Sequence, residues 1–459
     1  MTNETTIIIG GLATGMSCAS ELKRKIPQMN VQVITQESLI SYGACGMPFV
    51  ISGHIKKAND LIALSVTEAL DRGIQLKLQT KAISINRKKK LITTLNLQTG
   101  ETLSYNYDYL VLATGAAGFV PPIEGNDLEG IFTLKNYQNM LDISHYIQTK
   151  KPKRAIICGA GFIGLEMLEA LYENGLEMTL VSQDFFPKMD SDLTSYFLKV
   201  CQEKNIKVIL GKKVTSLEKH GSVFQVTLEN KEQLKTDLIL FGLGFIPQSG
   251  LAKESGLELD IYDTIKVNDY LQTSDPHIFS GGDAVASRHL LLEEKIYSPF
   301  ALKANQEGKL IAQNIANLVS QKPLQKAPCV TSSLMLKFFH LEYGKTGIGE
   351  AEINQYNLKK IERETVSSKP QANYYSPNSF LKISLYYNKK DQTLVGAQIL
   401  GTAGSVLRLH TLTLALKEKV TLEKLAQIDF AYSPPFSPLW DPMIIAAKKA
   451  LKKNTPKGN

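Results

Sequence analysis

Arg154–Leu171 reads RAIICGAGFIGLEMLEAL, an apolar run that meets three glycines and continues with helical periodicity. The order is strand, glycine turn, helix. Glycines at the turn let the backbone come close to a pyrophosphate held at the helix N-terminus. Gly159, Gly161 and Gly164 keep the full G-x-G-x-x-G spacing. Taken alone this is weak evidence, but Thr6–Arg24, TIIIGGLATGMSCASELKR, repeats the plan with Gly10, Gly11 and Gly15. Two such units in one chain predict an α/β protein with two Rossmann-like dinucleotide-binding domains.

Each unit should end its second strand on a carboxylate that takes a ribose. The strands VQVITQE and EMTLVSQD place Thr35 and Ser182 there instead, with Glu37 close to the first. Ser182 carries no charge to repel a 2′-phosphate, and Lys188 lies nearby, so NADPH is expected to be accepted at least as well as NADH. Tyr109–Ala116, YLVLATGA, is a buried strand run that closes on Ala113, Thr114 and Gly115. Asp237–Pro247, DLILFGLGFIP, is its counterpart, and SDPHIFSGGDA brings Asp283 after paired glycines. Beyond about residue 323 the runs SLMLKFF, FLKISLYY and TLVGAQILG precede a helical stretch, the pattern of an α+β domain with an antiparallel sheet.

At 459 residues, two or three domains are expected. The net charge of +8 is spread widely, apart from the Lys448–Lys457 tail, which reads as a solvated, frayed terminus. Neither nucleic-acid binding nor a membrane span is suggested, and the start has no signal-peptide pattern. A cytoplasmic location follows as the expectation. Five cysteines without a C-x-x-C pair suggest neither a disulfide framework nor zinc, and the histidines show no metal-ligand spacing, so no metal is proposed.

In this order, the pieces resemble the pyridine nucleotide-disulfide oxidoreductase family across nearly the whole chain. The resemblance implies a split FAD-binding domain at residues 1–115 and 245–322. An NAD(P)H-binding domain at 116–244 would interrupt it, and a C-terminal dimerisation domain would occupy 323–459. It places Gly10, Gly11 and Gly15 on the FAD pyrophosphate, with Glu37, Ala113, Thr114, Gly115 and Asp283 completing that site. Gly159, Gly161, Gly164 and Ser182 would take NADPH or NADH, with Phe162 as an aromatic gate above the flavin and Glu166 beside it.

Ser41–Gly53, SYGACGMPFVISG, decides the branch. The dithiol reductases need C-x-x-x-x-C, but the residue five after Cys45 is Val50. One thiol must do the work, as in the branch of coenzyme A-disulfide reductases, NADH oxidases and peroxidases, and polysulfide or persulfide reductases. Ala13 stands where the peroxidases and water-forming oxidases carry a histidine. Phe430–Pro442, FAYSPPFSPLWDP, closely resembles the ending of the coenzyme A-disulfide reductases. That likeness implies Tyr432 as catalytic acid and Tyr374 as its partner at Cys45, supplied by the other subunit of a homodimer with shared sites. Coenzyme A disulfide or another small disulfide is the implied substrate, and coenzyme A a further group to look for in the site. Ser41, Lys23 and Arg24 are the candidate substrate contacts, with Lys56 and Lys57 as further cations. The relatives' arginines are replaced by Glu21 and Leu64. The start of a helix after Cys45 and the adjacent flavin are expected to depress the thiol's pKa. The alternatives are an NADH oxidase, a polysulfide or persulfide reductase, and a noncatalytic redox-sensing flavoprotein.

Overall fold

The computed structural model describes residues 4–186 and 188–454. The chain opens with β1 (Thr5–Ile9), α1 (Ala13–Lys25) and β2 (Asn30–Ile34), and adds β3 (Ile74–Lys77) and β4 (Tyr109–Leu112). All of these strands pair in parallel. Their continuous apolar runs reflect burial on both faces, as a helix-covered parallel sheet requires. Helix α1 has no acidic residue in its first turn and ends in Lys23, Arg24 and Lys25, where cations favour the helix dipole.

The second unit contains β5 (Ile131–Phe132), α2 (Tyr137–Lys150), β6 (Arg154–Ala160), α3 (Phe162–Glu173), β7 (Glu177–Phe185), β8 (Lys207–Leu210) and β9 (Leu238–Phe241). Its sheet runs β8-β7-β6-β9-β5 and is parallel throughout. The chain leaves and regains the first unit through two connecting strands, Ala116–Gly118 and Phe245–Pro247, which pair with each other antiparallel. β10 (Ile278–Ser280) then joins β4, giving the first sheet the order β10-β4-β1-β2-β3, and α4 (Ala301–Val319) packs on α1.

The third unit is an antiparallel sheet of β11 (Leu334–Phe338), β12 (Leu341–Gly347), β13 (Ile361–Ser368), β14 (Leu381–Asn388) and β15 (Leu394–Gly401), ordered β11-β12-β15-β14-β13. Helices α5 (Arg408–Lys417) and α6 (Pro442–Asn454) pack against it. The basic tail is not frayed up to residue 454. It continues α6, Lys449 pairs with Glu364 at 2.7 Å, and the Lys448 ammonium lies 4.0 Å from the Trp440 ring centroid. The rest of that tail lies outside the described residues.

One apolar core spans all three units, joining Met47 and Ile51, Leu165 and Leu168, and Leu336 and Tyr343. A buried polar knot holds the second unit to the third. Asp190, fully buried, accepts from Gln398 Nε2 (2.5 Å), the Tyr386 hydroxyl and the Glu350 backbone N–H, and pairs with Arg363. Glu169 on α3 adds a second tie through Lys337 and the Phe339 backbone N–H. Among the described residues no helix is long and apolar enough to cross a membrane.

Candidate active site

Both glycine turns are shaped as cradles. Gly10 has φ +115°, and a Cβ there would lie 2.1 Å from the Ala113 carbonyl oxygen. A Cβ on Gly15 would stand 1.8 Å from the Gly10 carbonyl oxygen, so only glycine lets α1 close onto the turn. The second turn repeats this geometry, with Gly159 at φ +103° and a Gly164 Cβ 1.9 Å from the Gly159 carbonyl oxygen. Neither α1 nor α3 has a side-chain cap, so their first N–H groups are open to an anion. These two backbone cradles fit two dinucleotides.

Around the first turn, Glu37 accepts from the Tyr42 hydroxyl at 2.7 Å, and burial raises its pKa. Tyr42 in turn accepts from the Tyr137 backbone N–H at 3.0 Å, which ties the cysteine segment to the start of α2. Thr114 donates to the Gln248 carbonyl at 2.6 Å, while Gly115 (φ +68°) accepts from the Gln248 N–H. Asp283 pairs with Lys135 at 2.7 Å, and the backbone beside it is gripped by a buried ion pair on α4. Lys303 donates to the Gly282 carbonyl at 2.7 Å; Glu307 accepts from the Gly282 N–H at 2.7 Å and pairs with Lys303 at 3.1 Å.

Cys45 sits in a single helical turn, Ala44–Gly46, ahead of the short helix Met47–Ile51. It is the one exposed cysteine among the five. Ser41, at φ +46°, fastens this segment to the first glycine turn by donating its N–H to the Gly11 carbonyl at 2.9 Å. The expected depression of the Cys45 pKa is reversed in the protein frame. Burial of its inner side, then the carboxylates of Glu166 and Asp283, raise it, and Lys135 is the cation that opposes them. Burial and Glu169 push Glu166 up to about 7. Phe162 opens α3 and meets Phe186 edge-on at 5.1 Å and Phe300 at 6.3 Å.

Other candidates are engaged elsewhere. Lys23 donates to the carbonyls of Pro27 and Met29, and Arg24 pairs with Glu21 at 2.9 Å, so both side chains are spent at the far end of α1. Leu64 is buried, while Lys56 and Lys57 stay exposed. Ser182 is buried within β7; its hydroxyl accepts from the Ala160 N–H (3.1 Å) and donates to the Asp184 carbonyl (2.6 Å). Lys188 lies at the third unit, its carbonyl accepting from Tyr343. Tyr374 and Tyr432 are exposed and bonded to each other, and among the described residues no hydrogen bond or ring contact joins either to the Cys45 segment. Sequence reasoning missed Lys135, Tyr42 and the Lys303–Glu307 pair: Lys135 meets Asp283 148 residues on, Tyr42 meets the Tyr137 N–H 95 residues on, and Lys303 and Glu307 grip Gly282 21 and 25 residues earlier.

Two dinucleotide cradles with one exposed thiol at their junction define a flavin- and nicotinamide-dependent oxidoreductase. The chain belongs to the pyridine nucleotide-disulphide oxidoreductase family, whose profile matches residues 4–308, and whose dimerisation-domain profile matches residues 334–443. It is 34% identical to an NADH oxidase of Methanocaldococcus jannaschii over 97% of this chain and 98% of that protein. It is 28% identical to a coenzyme A disulfide reductase of Staphylococcus haemolyticus over 94% of this chain and 96% of that one. The structure of reduced Bacillus anthracis CoADR-RHD superposes with a TM-score of 0.93 at 31% identity, covering 99% of this chain and 81% of that one. The protein is thus an FAD-dependent NAD(P)H oxidoreductase.

Proposed function

We propose that the chain reduces a low-molecular-weight disulfide, coenzyme A disulfide foremost, through Cys45 alone. The observation that carries this is the exposed Cys45 thiol among Lys135, Glu166 and Asp283, with Val50 where a second thiol would be needed. FAD, when bound in the first cradle, supplies the two-electron relay between nicotinamide and sulfur.

The residues divide the remaining work. Lys135 favours the thiolate of Cys45. Glu166, held near pKa 7, keeps a proton over part of the neutral range and so places less negative charge beside that thiolate. The thiolate attacks one sulfur of the substrate, forming a bond to Cys45 while the substrate S–S bond breaks and one thiolate leaves. Two electrons then cleave the mixed disulfide, releasing the second thiolate and restoring Cys45. Tyr432 of a second copy, paired with its Tyr374, donates a proton to a departing sulfur. The sum is NAD(P)H, one proton and one disulfide to NAD(P)⁺ and two thiols.

A second reading, reduction of oxygen, is favoured by the 34% identity to an NADH oxidase. Ala13 at the first turn weighs against the water-forming form. Steady-state NAD(P)H oxidation with coenzyme A disulfide, polysulfide and oxygen in parallel separates these readings. Cys45→Ser is expected to retain FAD and lose disulfide reduction. A variant that reduces disulfide at near the parent rate would remove the single-thiol mechanism.

A further inference from the structure

We propose that Lys212, just beyond the carboxyl end of β8, takes the 2′-phosphate of NADPH and makes the phosphorylated nucleotide the preferred reductant. The inference rests on the second cradle being the nicotinamide-dinucleotide site and names the residue that sets its choice.

In an open parallel sheet the ligand lies outside the carboxyl ends of the strands. Three such ends stand side by side here, because β6 pairs with β7 and β7 with β8 in parallel register. β6 ends in the Gly159 turn. β7 carries Ser182 where a carboxylate would hold a free ribose 2′-hydroxyl and repel a phosphate. Ser182 can do neither: it is uncharged and buried, and its hydroxyl is committed to the Ala160 N–H and the Asp184 carbonyl.

The third strand end supplies the charge. Leu210 is opposite Ser182 in register, Gly211 donates its N–H to the Gln183 carbonyl at 3.1 Å, and Lys212 donates its N–H to the Ser182 carbonyl at 3.4 Å. Gly211, at φ +71°, turns the chain across the strand end. Lys212 is half-buried and, among the described residues, has no ion-pair partner. A lysine with no ion-pair partner is therefore bonded through its own backbone to the residue whose carboxylate is missing. A phosphate accepts such a point charge through charge-assisted hydrogen bonds. Asp184, exposed two residues beyond Ser182, is the opposing charge at this edge. Lys188 is excluded by its place against the third unit, where Lys345 and Glu352 are its charged neighbours.

Calorimetric titration of the flavin-loaded protein with 2′,5′-ADP and with 5′-ADP tests this. The parent is expected to bind 2′,5′-ADP at least about tenfold more tightly, the worth of one charge-assisted contact. Lys212→Ala should abolish that ratio and leave 5′-ADP binding unchanged, while Lys212→Arg should retain the ratio. Equal binding of the two by the parent, or an unchanged ratio in Lys212→Ala, overturns the proposal. So does tighter binding of 5′-ADP that is lost in Asp184→Asn, which would give the ribose to Asp184. Flavin bleaching by NADH and NADPH, followed on the same samples, separates the two levels. If neither nucleotide bleaches the flavin, the reading of the second cradle falls with the proposal. If both bleach it while the ADP ratio ignores Lys212, only the role of Lys212 falls.

Discussion

The hydroxyls of Tyr374 and Tyr432 meet at 2.9 Å across 58 residues of sequence, on a face that also exposes Phe436, Leu439 and Trp440. When one hydroxyl donates to the other, the acceptor still has its own proton to give. The shared bond raises the pKa of Tyr432, a hydroxyl that is protonated at neutral pH in any case. In the proposed dimer the surrounding apolar face is covered by a second copy, and the outward proton meets sulfur.

Tyr432→Phe should slow disulfide turnover about 100-fold, the lower end of the range for general acids because a thiol is a good leaving group. Flavin reduction by NAD(P)H should be nearly unchanged. Tyr374→Phe should cost less, and the double variant should be non-additive because both hydroxyls act on one sulfur. Rapid-mixing measurements of the two half-reactions decide this; a defect confined to flavin reduction would return both tyrosines to interface aromatics.

Gly15→Ala should yield protein without flavin, since its Cβ would stand 1.8 Å from the Gly10 carbonyl oxygen. Gly164→Ala should keep FAD but lose flavin bleaching by NAD(P)H, by the same clash in the second turn. The flavin absorbance of purified protein and its response to nucleotide distinguish the two. Flavin retained by Gly15→Ala would mean that the first turn is not the FAD cradle.

Glu166 gives a pH signature. Its carboxyl is raised from 4.5 to about 7, so the folded chain binds this proton more tightly than the unfolded chain does. The resulting stabilisation is complete below about pH 4.5 and is lost as pH rises through 7. Full expression of that shift is linked to at most roughly 3 kcal/mol. Glu166→Gln should match the parent in thermal midpoint at pH 5 and exceed it at pH 8. Parallel midpoint-versus-pH curves for the two proteins would contradict the assignment.

Asp190→Ala removes one side of a buried charge network and takes the carboxylate acceptor from the Tyr386 hydroxyl and from Gln398 Nε2. A loss of roughly 3 kcal/mol is expected, moderated because Arg363 keeps Asp192 at 2.8 Å. Asp190→Asn, which retains size and an acceptor, should lose less. Thermal midpoints of the three proteins measure this, and equal midpoints would show that the knot contributes nothing.

Both parallel sheets and the antiparallel third unit were legible because strands, glycine turns and helices are local patterns. Cys45 was legible for the same reason, its motif being contiguous. Lys135 was not, since its partner Asp283 lies 148 residues away and a single ion pair leaves no periodicity. Asp190 was invisible likewise, its contacts with Gln398 spanning 208 residues. The sequence places Ser182 at the end of the second strand, but its buried hydroxyl follows from the run of β7 past the glycine turn to Phe185, where the β6–β7 register shifts. Lys23 and Arg24 advertised free charge that nearby carbonyls and Glu21 had already taken.

The late return of β10 to β4 sets an order of assembly. Leu110 pairs with Ile278, so the first sheet remains one strand short until synthesis has passed Ser280. By then every strand of the inserted unit has been made, and domains fold as units while the chain grows. The nascent chain thus carries a complete second sheet on a host whose β4 edge is still unpaired. The Asp283 turn, which follows β10, also arrives only after that point. The open β4 edge before that point is the stage most exposed to wrong strand pairing.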